Sequence, residues 1–245
     1  MYSKSLTIVF VYISIVYSKR LSFPSYIKRC SPSVSDFDDC CLRNGKEAIL
    51  HLEKGDRNYD IPNMLPMIVP SISVETGPDF SLLLTNLLIY GLETADLKQL
   101  KFDLKKKKIS GQLFLEGIEI EGKYDVNGKI LVIPIQGSGV INVTTVGCAV
   151  DYFVDYELVE KEGEEYLNIT NGASNISFKR VYFNLTNLFN GNEELGASTN
   201  KVLNDEWEKL VDTLTPVVGK TVADIVNSII NGVARHVPFK EFFLD

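Results

Sequence analysis

Apolar and polar side chains alternate with period two from about residue 72 to residue 185, the spacing of half-buried strands. Lys98–Leu104 sets Leu100, Phe102 and Leu104 against Gln99, Lys101 and Asp103, and the four lysines 105–108 that follow read as a solvated hairpin end. Ile118, Ile120, Tyr124 and Val126 alternate with Glu119, Glu121, Lys123 and Asp125 and run into Asn127-Gly128, a strong hairpin signal. A two-residue turn there predicts Val126 opposite Lys129, Tyr124 opposite Leu131, Gly122 opposite Ile133 and Ile120 opposite Ile135. In Val140–Val159 the even positions Val146 to Leu158 are apolar, whereas Ile141 and Val143 have the opposite parity. A bulge near Thr144-Thr145 reconciles the two halves and points Asn142 outward. Twenty extended residues span roughly 65 Å, against a diameter of roughly 45 Å for a compact domain of this size. Such a strand must curl, or the molecule must be elongated.

Elsewhere the period is helical. Leu203, Trp207, Leu210, Leu214, Val217/Val218, Val222, Ile225, Ile229 and Val233 recur at spacings of three and four. They predict one apolar face over about thirty residues, some 45 Å long, with a kink at Pro216. A helix this long needs a long partner surface, which a curled sheet supplies. Before it, Leu188 and Phe189 read as an anchor, Asn190-Gly191 as a turn, and Ser198 or Asn204 as the helix cap. Near the start, residues 35–54 predict a shorter helix, and Pro62, Pro66 and Pro70 then hold the chain extended.

Composition narrows the setting. Residues 1–18 combine Lys4 with an apolar run from Leu6 to Tyr17 and small residues at Val16 and Ser18, the pattern of a secretory signal peptide. That run is too short to span a bilayer. Beyond it, 24 basic and 32 acidic side chains leave a net charge of −8, which argues against nucleic acid and anionic membrane as partners. The expectation is a soluble, exported monomer of one domain, residues 19–245, without stable membrane insertion. The sequons at Asn142, Asn168, Asn175 and Asn184 suggest one glycosylated surface. Four cysteines in an exported chain read as possible disulfides. Cys30 is expected to pair with Cys40 or Cys41, leaving the other free or joined to Cys148. With His51 and His236 alone and no CxxC, neither a metal nor another cofactor is expected.

Catalysis finds little support. An esterase needs a nucleophile, a base and an orienting acid. Gly137-Ser138-Gly139 resembles a nucleophile turn, but GxSxG is absent and both histidines sit near charged helix ends. No catalytic residue is assigned. A protein-interaction module is the other alternative, with Ile130 and Val132 expected on the exposed side of the first hairpin. Small-molecule sites are apolar with a few placed polar groups, and Tyr124, Tyr152 and Tyr156 on the inner face are candidates for these.

Four stretches, PSYIKRC with FDDCCLRNGKEAI (24–49), KGDRNYDIPNMLPMIVP (54–70), EGKYDVNGKILVIPIQGSG (121–139) and NLFNGNEELGASTNKVLNDEW (187–207), occur in the order found in one family. In them the chain resembles the insect takeout and haemolymph juvenile-hormone-binding proteins over about residues 23–245. The resemblance implies an α+β fold in which a strongly curled antiparallel sheet wraps one long C-terminal helix, elongated and with an internal apolar tunnel. It implies a secreted carrier of small lipophiles: juvenile hormone, other terpenoids, fatty-acid-like lipids or odorants, linked to circadian, feeding or chemosensory physiology. It favours Cys30 with Cys40 as the disulfide. The usual later partner of Cys148 is missing, so that thiol is expected free and buried, and the takeout branch fits better than the hormone binders proper. The lining expected from inward parity is Ile120, Tyr124, Leu131, Ile133, Cys148, Val150, Tyr152, Val154, Phe183, Leu214, Val218 and Ile225.

Overall fold

A computed structural model describes residues 20–75, 80–130 and 133–245. The expected signal peptide lies outside them. Helix α1 (Phe37–Leu52) precedes strands β1 (Met67–Glu75), β2 (Phe80–Tyr90), β3 (Asp96–Asp103), β4 (Lys108–Leu115), β5 (Glu119–Ile130), β6 (Ile133–Lys161) and β7 (Glu164–Leu185). Helices α2 (Glu193–Asp205) and α3 (Trp207–Ala234) follow. The strands form one antiparallel sheet in the order β1-β2-β5-β6-β4-β3, with β7 on the other edge of β6.

Strand β6 organises the sheet. Its 29 residues would extend roughly 95 Å if straight, so the sheet coils around α2 and α3 without closing. One edge of β6 carries β5 as far as Thr144 and β4 from Cys148 to Asp155; β7 runs along the other. The expected parity change is real but lies at Gly147, not at Thr144-Thr145. Ile135, Ile141 and Thr145 face inward before it, and Cys148, Val150, Tyr152, Val154 and Tyr156 after it. Gly147 has φ +60°, a region open to glycine at little cost. Val146, expected inside, is exposed.

The Asn127-Gly128 hairpin is also corrected. β5 runs on through both residues, and Ile130 pairs with Ile133. Tyr124 therefore faces Gly139, Gly122 faces Ile141 and Ile120 faces Val143. Gly128 lies between Phe80 of β2 and Ile135 of β6, with strand partners on both sides. A turn at that point would forfeit both pairings. The shift turns Ile130 inward, where it is 6% exposed, rather than into a surface patch; Leu131 and Val132 lie outside the described residues.

The long apolar stripe forms two helices, not one. They break at Glu206, while α3 continues through Pro216. Asn192 caps α2, its side chain accepting from the Leu195 N–H at 3.0 Å. Ser198 and Asn204, the expected caps, lie inside α2. Asn204 instead works against β7. Its Oδ1 accepts from Phe183 N–H at 3.0 Å and its Nδ2 donates to Phe183 C=O at 2.8 Å. Asn200 makes the same pair of bonds to Leu185, both at 2.9 Å. Four residues apart on one helix face, the two amides stand in for a neighbouring strand along the β7 edge.

Helix α3 then packs closely through small residues, against β7 at Gly219 and against the turn at residues 57–61 at Gly232. A Cβ on Gly219 would stand 2.9 Å from Ser174 C=O, and one on Gly232 would stand 2.1 Å from Tyr59 C=O. Beyond them an aromatic cluster closes one end of the domain. Phe239 and Phe243 meet edge to face at 5.6 Å, and Phe102 meets Phe243 in the same way at 5.7 Å. The disulfide forms between Cys30 and Cys40, and Leu244 N–H donates to Cys30 C=O at 2.9 Å, fastening the C-terminal residues to the segment that the disulfide holds. Cys41 and Cys148 are free thiols.

Candidate functional site

The other half of the wrap is not filled. α3 rests on β7, and β1, β2 and β5 face it across a cavity of about 250 Å³. The sheet wall comes from inward positions of β1, β2, β5, β6 and β7, among them Ile72, Leu84, Ile120, Ile141 and Phe183. The helical wall is Leu203 of α2 and the α3 stripe from Leu210 through Leu214, Val218 and Thr221 to Ile225. Leucine and valine on this part of α3 keep sheet and helix apart. Toward its C-terminus α3 offers buried Ala223, Gly232 and Ala234, and there the layers meet.

Among the described residues no charged side chain lines the cavity. Its only polar side chains among the described residues are Thr145, Thr215 and Thr221. Thr215 and Thr221 donate to the carbonyls of Val211 and Val217, each at 2.9 Å, the usual way a helical threonine satisfies its hydroxyl. The Thr145 hydroxyl accepts from Ile118 N–H at 3.0 Å.

Of the residues expected to line the site, Ile120, Phe183, Leu214, Val218 and Ile225 are on the wall. Tyr124, Cys148, Val150, Tyr152 and Val154 point inward but are not on the wall; they are buried in the apolar clusters beside and behind it. Ile133 is only half-buried at the start of β6 and is also off the wall, and Leu131 lies outside the described residues. The tyrosines do not supply the polar groups either. Tyr124 donates to Thr186 C=O at 2.6 Å and Tyr152 to Asn227 Oδ1. Burial raises the pKa of both phenols above the ordinary value and so keeps them neutral. Sequence reasoning missed the contribution of β1 and β2: Ile72 and Val74 alternate with Ser73 and Glu75 and were legible as an inward pair, whereas Leu82-Leu83-Leu84 is a continuous apolar run that hides which side faces inward.

Other chemistry is scattered. Ser138 donates to Asp125 on the exposed face. His236 Nε2 lies 3.4 Å from Asp60, and the His51 ring lies 5.8 Å from that of Tyr26. Among the described residues no cluster of three or more potential ligands is placed to hold a metal, and no helix is long and apolar enough to cross a membrane. The sequon asparagines lie on β6 and β7, with Asn168, Asn175 and Asn184 exposed and Asn142 half-buried beside Glu119.

An open curled sheet wrapped on a long helix around an apolar void defines a class of single-domain fold that comparison identifies. The crystal structure of Epiphyas postvittana Takeout 1 superposes with a TM-score of 0.79 at 24% identity, covering 89% of this chain and all of that one. The sequence profile of the haemolymph juvenile hormone binding protein (JHBP) family matches residues 6–244, and the chain belongs to that takeout/JHBP family. Among its relatives is the circadian clock-controlled protein daywake of Drosophila melanogaster, 29% identical over 232 residues that cover 90% of this chain and 88% of the relative. Daywake of Drosophila yakuba is 28% identical over the same span.

Proposed function

We propose that the protein is an exported, monomeric carrier that holds a single small lipophile in the cavity between α3 and the β1-β2-β5 wall. The void carries this reading. Protein interiors pack as densely as organic crystals, with few voids larger than a water molecule. Leaving about 250 Å³ empty would cost on the order of 6 kcal/mol at roughly 24 cal/mol per Å³. That is a large share of the roughly 5–15 kcal/mol by which a domain is stable. An apolar ligand restores the missing contacts and leaves no charge unpaired. Juvenile hormone, another terpenoid, a fatty-acid-like lipid and an odorant are the classes to test, and the daywake relatives favour a clock-linked role. The exposed asparagines of β7 are the positions for glycans on the exported chain, with Asn142 a fourth.

Extraction of protein purified from a secreting insect cell line, followed by mass spectrometry, should release about one lipophile per chain. Delipidated protein should then bind a fluorescent lipid probe. Ile225→Glu on the wall should abolish that binding while circular dichroism stays native. Delipidated wild type that takes up no lipophilic probe at all would sink the proposal.

A further inference from the structure

We propose that the cavity selects for hydrocarbon itself: the part of the ligand it holds is an alkane, alkene or terpene chain that carries no oxygen. This rests on the carrier reading above and narrows it. An oxygen loses its hydrogen bonds to water on entry, so it binds well only where the wall returns them. This wall returns none. Its threonine hydroxyls are engaged, Thr145 by the Ile118 N–H, and Thr215 and Thr221 by carbonyls one turn back on α3. Among the described residues no buried side-chain nitrogen or oxygen lacks a hydrogen-bond partner. The aromatic side chains on the described wall are Phe80, Phe178 and Phe183, the aromatic type without a polar atom.

Backbone groups are spent in the same way. Beside the cavity β2 pairs with β1 and β5, and β5 with β2 and β6. β6 carries β5 on one edge and, from Ile141 on, β7 on the other. On the outer edge of β7 the Phe183 and Leu185 backbone is taken by Asn204 and Asn200. Pro216 deprives the Asp212 carbonyl of its helical donor, but Asp212 is exposed to solvent. Nor can water relay a hydrogen bond to the ligand, since a buried water needs about two to four polar partners of its own. A hydrocarbon has no hydrogen bond to lose here and gains dispersion contacts along its whole length. An alcohol, ketone or ester forfeits its hydration. A carboxylate forfeits more, with no cation on the described wall to pair with it. Of the classes named above, the geometry favours an unoxygenated terpene and disfavours a fatty-acid anion.

Nonane, dibutyl ketone and octanol, matched in length, should be partitioned into delipidated protein and followed by headspace gas chromatography. Each affinity, divided by that compound's hexadecane–water partition coefficient, should give one value for all three, within the factor of about 2 that the weakest net hydrogen bond would add. The carbonyl stretch of bound, carbon-13-labelled dibutyl ketone should match its frequency in hexane, a readout that needs no variant to fold. Octanoate, ionised above neutral pH, should fail to drive nonane into the headspace. A corrected affinity for ketone or octanol more than about 2-fold above that of nonane would mean that its oxygen finds a partner in the wall or stays in water at the mouth. That result, a carbonyl band shifted toward its frequency in water, or displacement of nonane by octanoate would each overturn the hydrocarbon selection and leave the carrier reading standing. Protein that takes up none of the compounds would remove the carrier reading, and the selection with it.

Discussion

Replacing glycine by alanine at positions 196, 219 and 232 makes one chemical change at three helical sites. Helix propensity alone predicts that each gains up to about 1 kcal/mol. Packing predicts otherwise. At Gly196 in α2 the new methyl would meet only Leu188 Cβ at 3.8 Å, an ordinary contact, so Gly196→Ala should stabilise by roughly 0.5–1 kcal/mol. At Gly219 it would stand 2.9 Å from Ser174 C=O, and Ser174 Oγ already donates to Gly219 C=O at 2.8 Å. Gain and strain there should nearly cancel. At Gly232 the methyl would lie 2.1 Å from Tyr59 C=O and 3.2 Å from Ile61. That carbonyl must retreat by about 1 Å to reach a normal carbon–oxygen separation. It has little freedom to do so: Tyr59 OH donates to Ser22 C=O at 2.7 Å and Ile61 N–H to Asp56 C=O at 2.9 Å. Overpacking typically costs about 1–3 kcal/mol; a contact this short belongs at the upper end, so about 2 kcal/mol should remain after the propensity gain. For a domain of this size that lowers Tm by about 4–8 °C, and Gly196→Ala should raise it by a few degrees. Urea and thermal unfolding under non-reducing conditions give the comparison. Gly232→Ala at least as stable as wild type would refute the close docking of α3.

Other expectations follow from the same geometry. Asn204→Leu removes both partners of Phe183 on the β7 edge and should cost about 2 kcal/mol in urea unfolding; an unchanged midpoint would show that water replaces the amide freely. Burial pushes the Cys148 thiol up to about 12, and burial with nearby Asp38 pushes Cys41 to about 11. Both should therefore resist a disulfide reagent at about pH 8 in the folded protein and react once it is unfolded in guanidinium. The stability from these neutral thiols is complete below their ordinary value of 9.0 and declines as pH rises toward 11 and 12, as the unfolded chain ionises first. Stability that increases over that range would contradict their burial. In a homologous series of neutral esters, affinity should rise about fourfold per methylene, roughly 0.8 kcal/mol each, and level off once the cavity is full; a flat series by fluorescence displacement would mean the chain binds elsewhere.

The alternation of side chains was enough to identify a sheet, because period two reports which side of a strand faces away from water. The helical stripe was equally legible, as was the mismatch between strand length and domain diameter that requires curling. What alternation does not report is register. Asn127-Gly128 has the chemistry of a turn, and only the presence of β2 along the other edge of β5 decides that it stays extended. Neither does it report a break such as that at Glu206, which follows from the seating of α2 on β7 by Asn200 and Asn204.

The site divides in the same way. Parity determined that Ile120, Tyr124, Val150 and Val154 all face inward. It was silent on what lies opposite, and that separates cavity from core. Inward residues of β6 beyond Gly147 meet a tightly docked helix and an aromatic plug; those near β1, β2 and β5 look across open space at Leu210, Leu214 and Val218. The distance between two layers depends on side chains from segments far apart in the chain, Gly232 against Tyr59 above all, and no local pattern encodes it. For Thr145 the sequence determined the hydroxyl, and the tertiary structure alone decided that it would accept from Ile118 N–H instead of water, leaving the cavity wall beside it apolar.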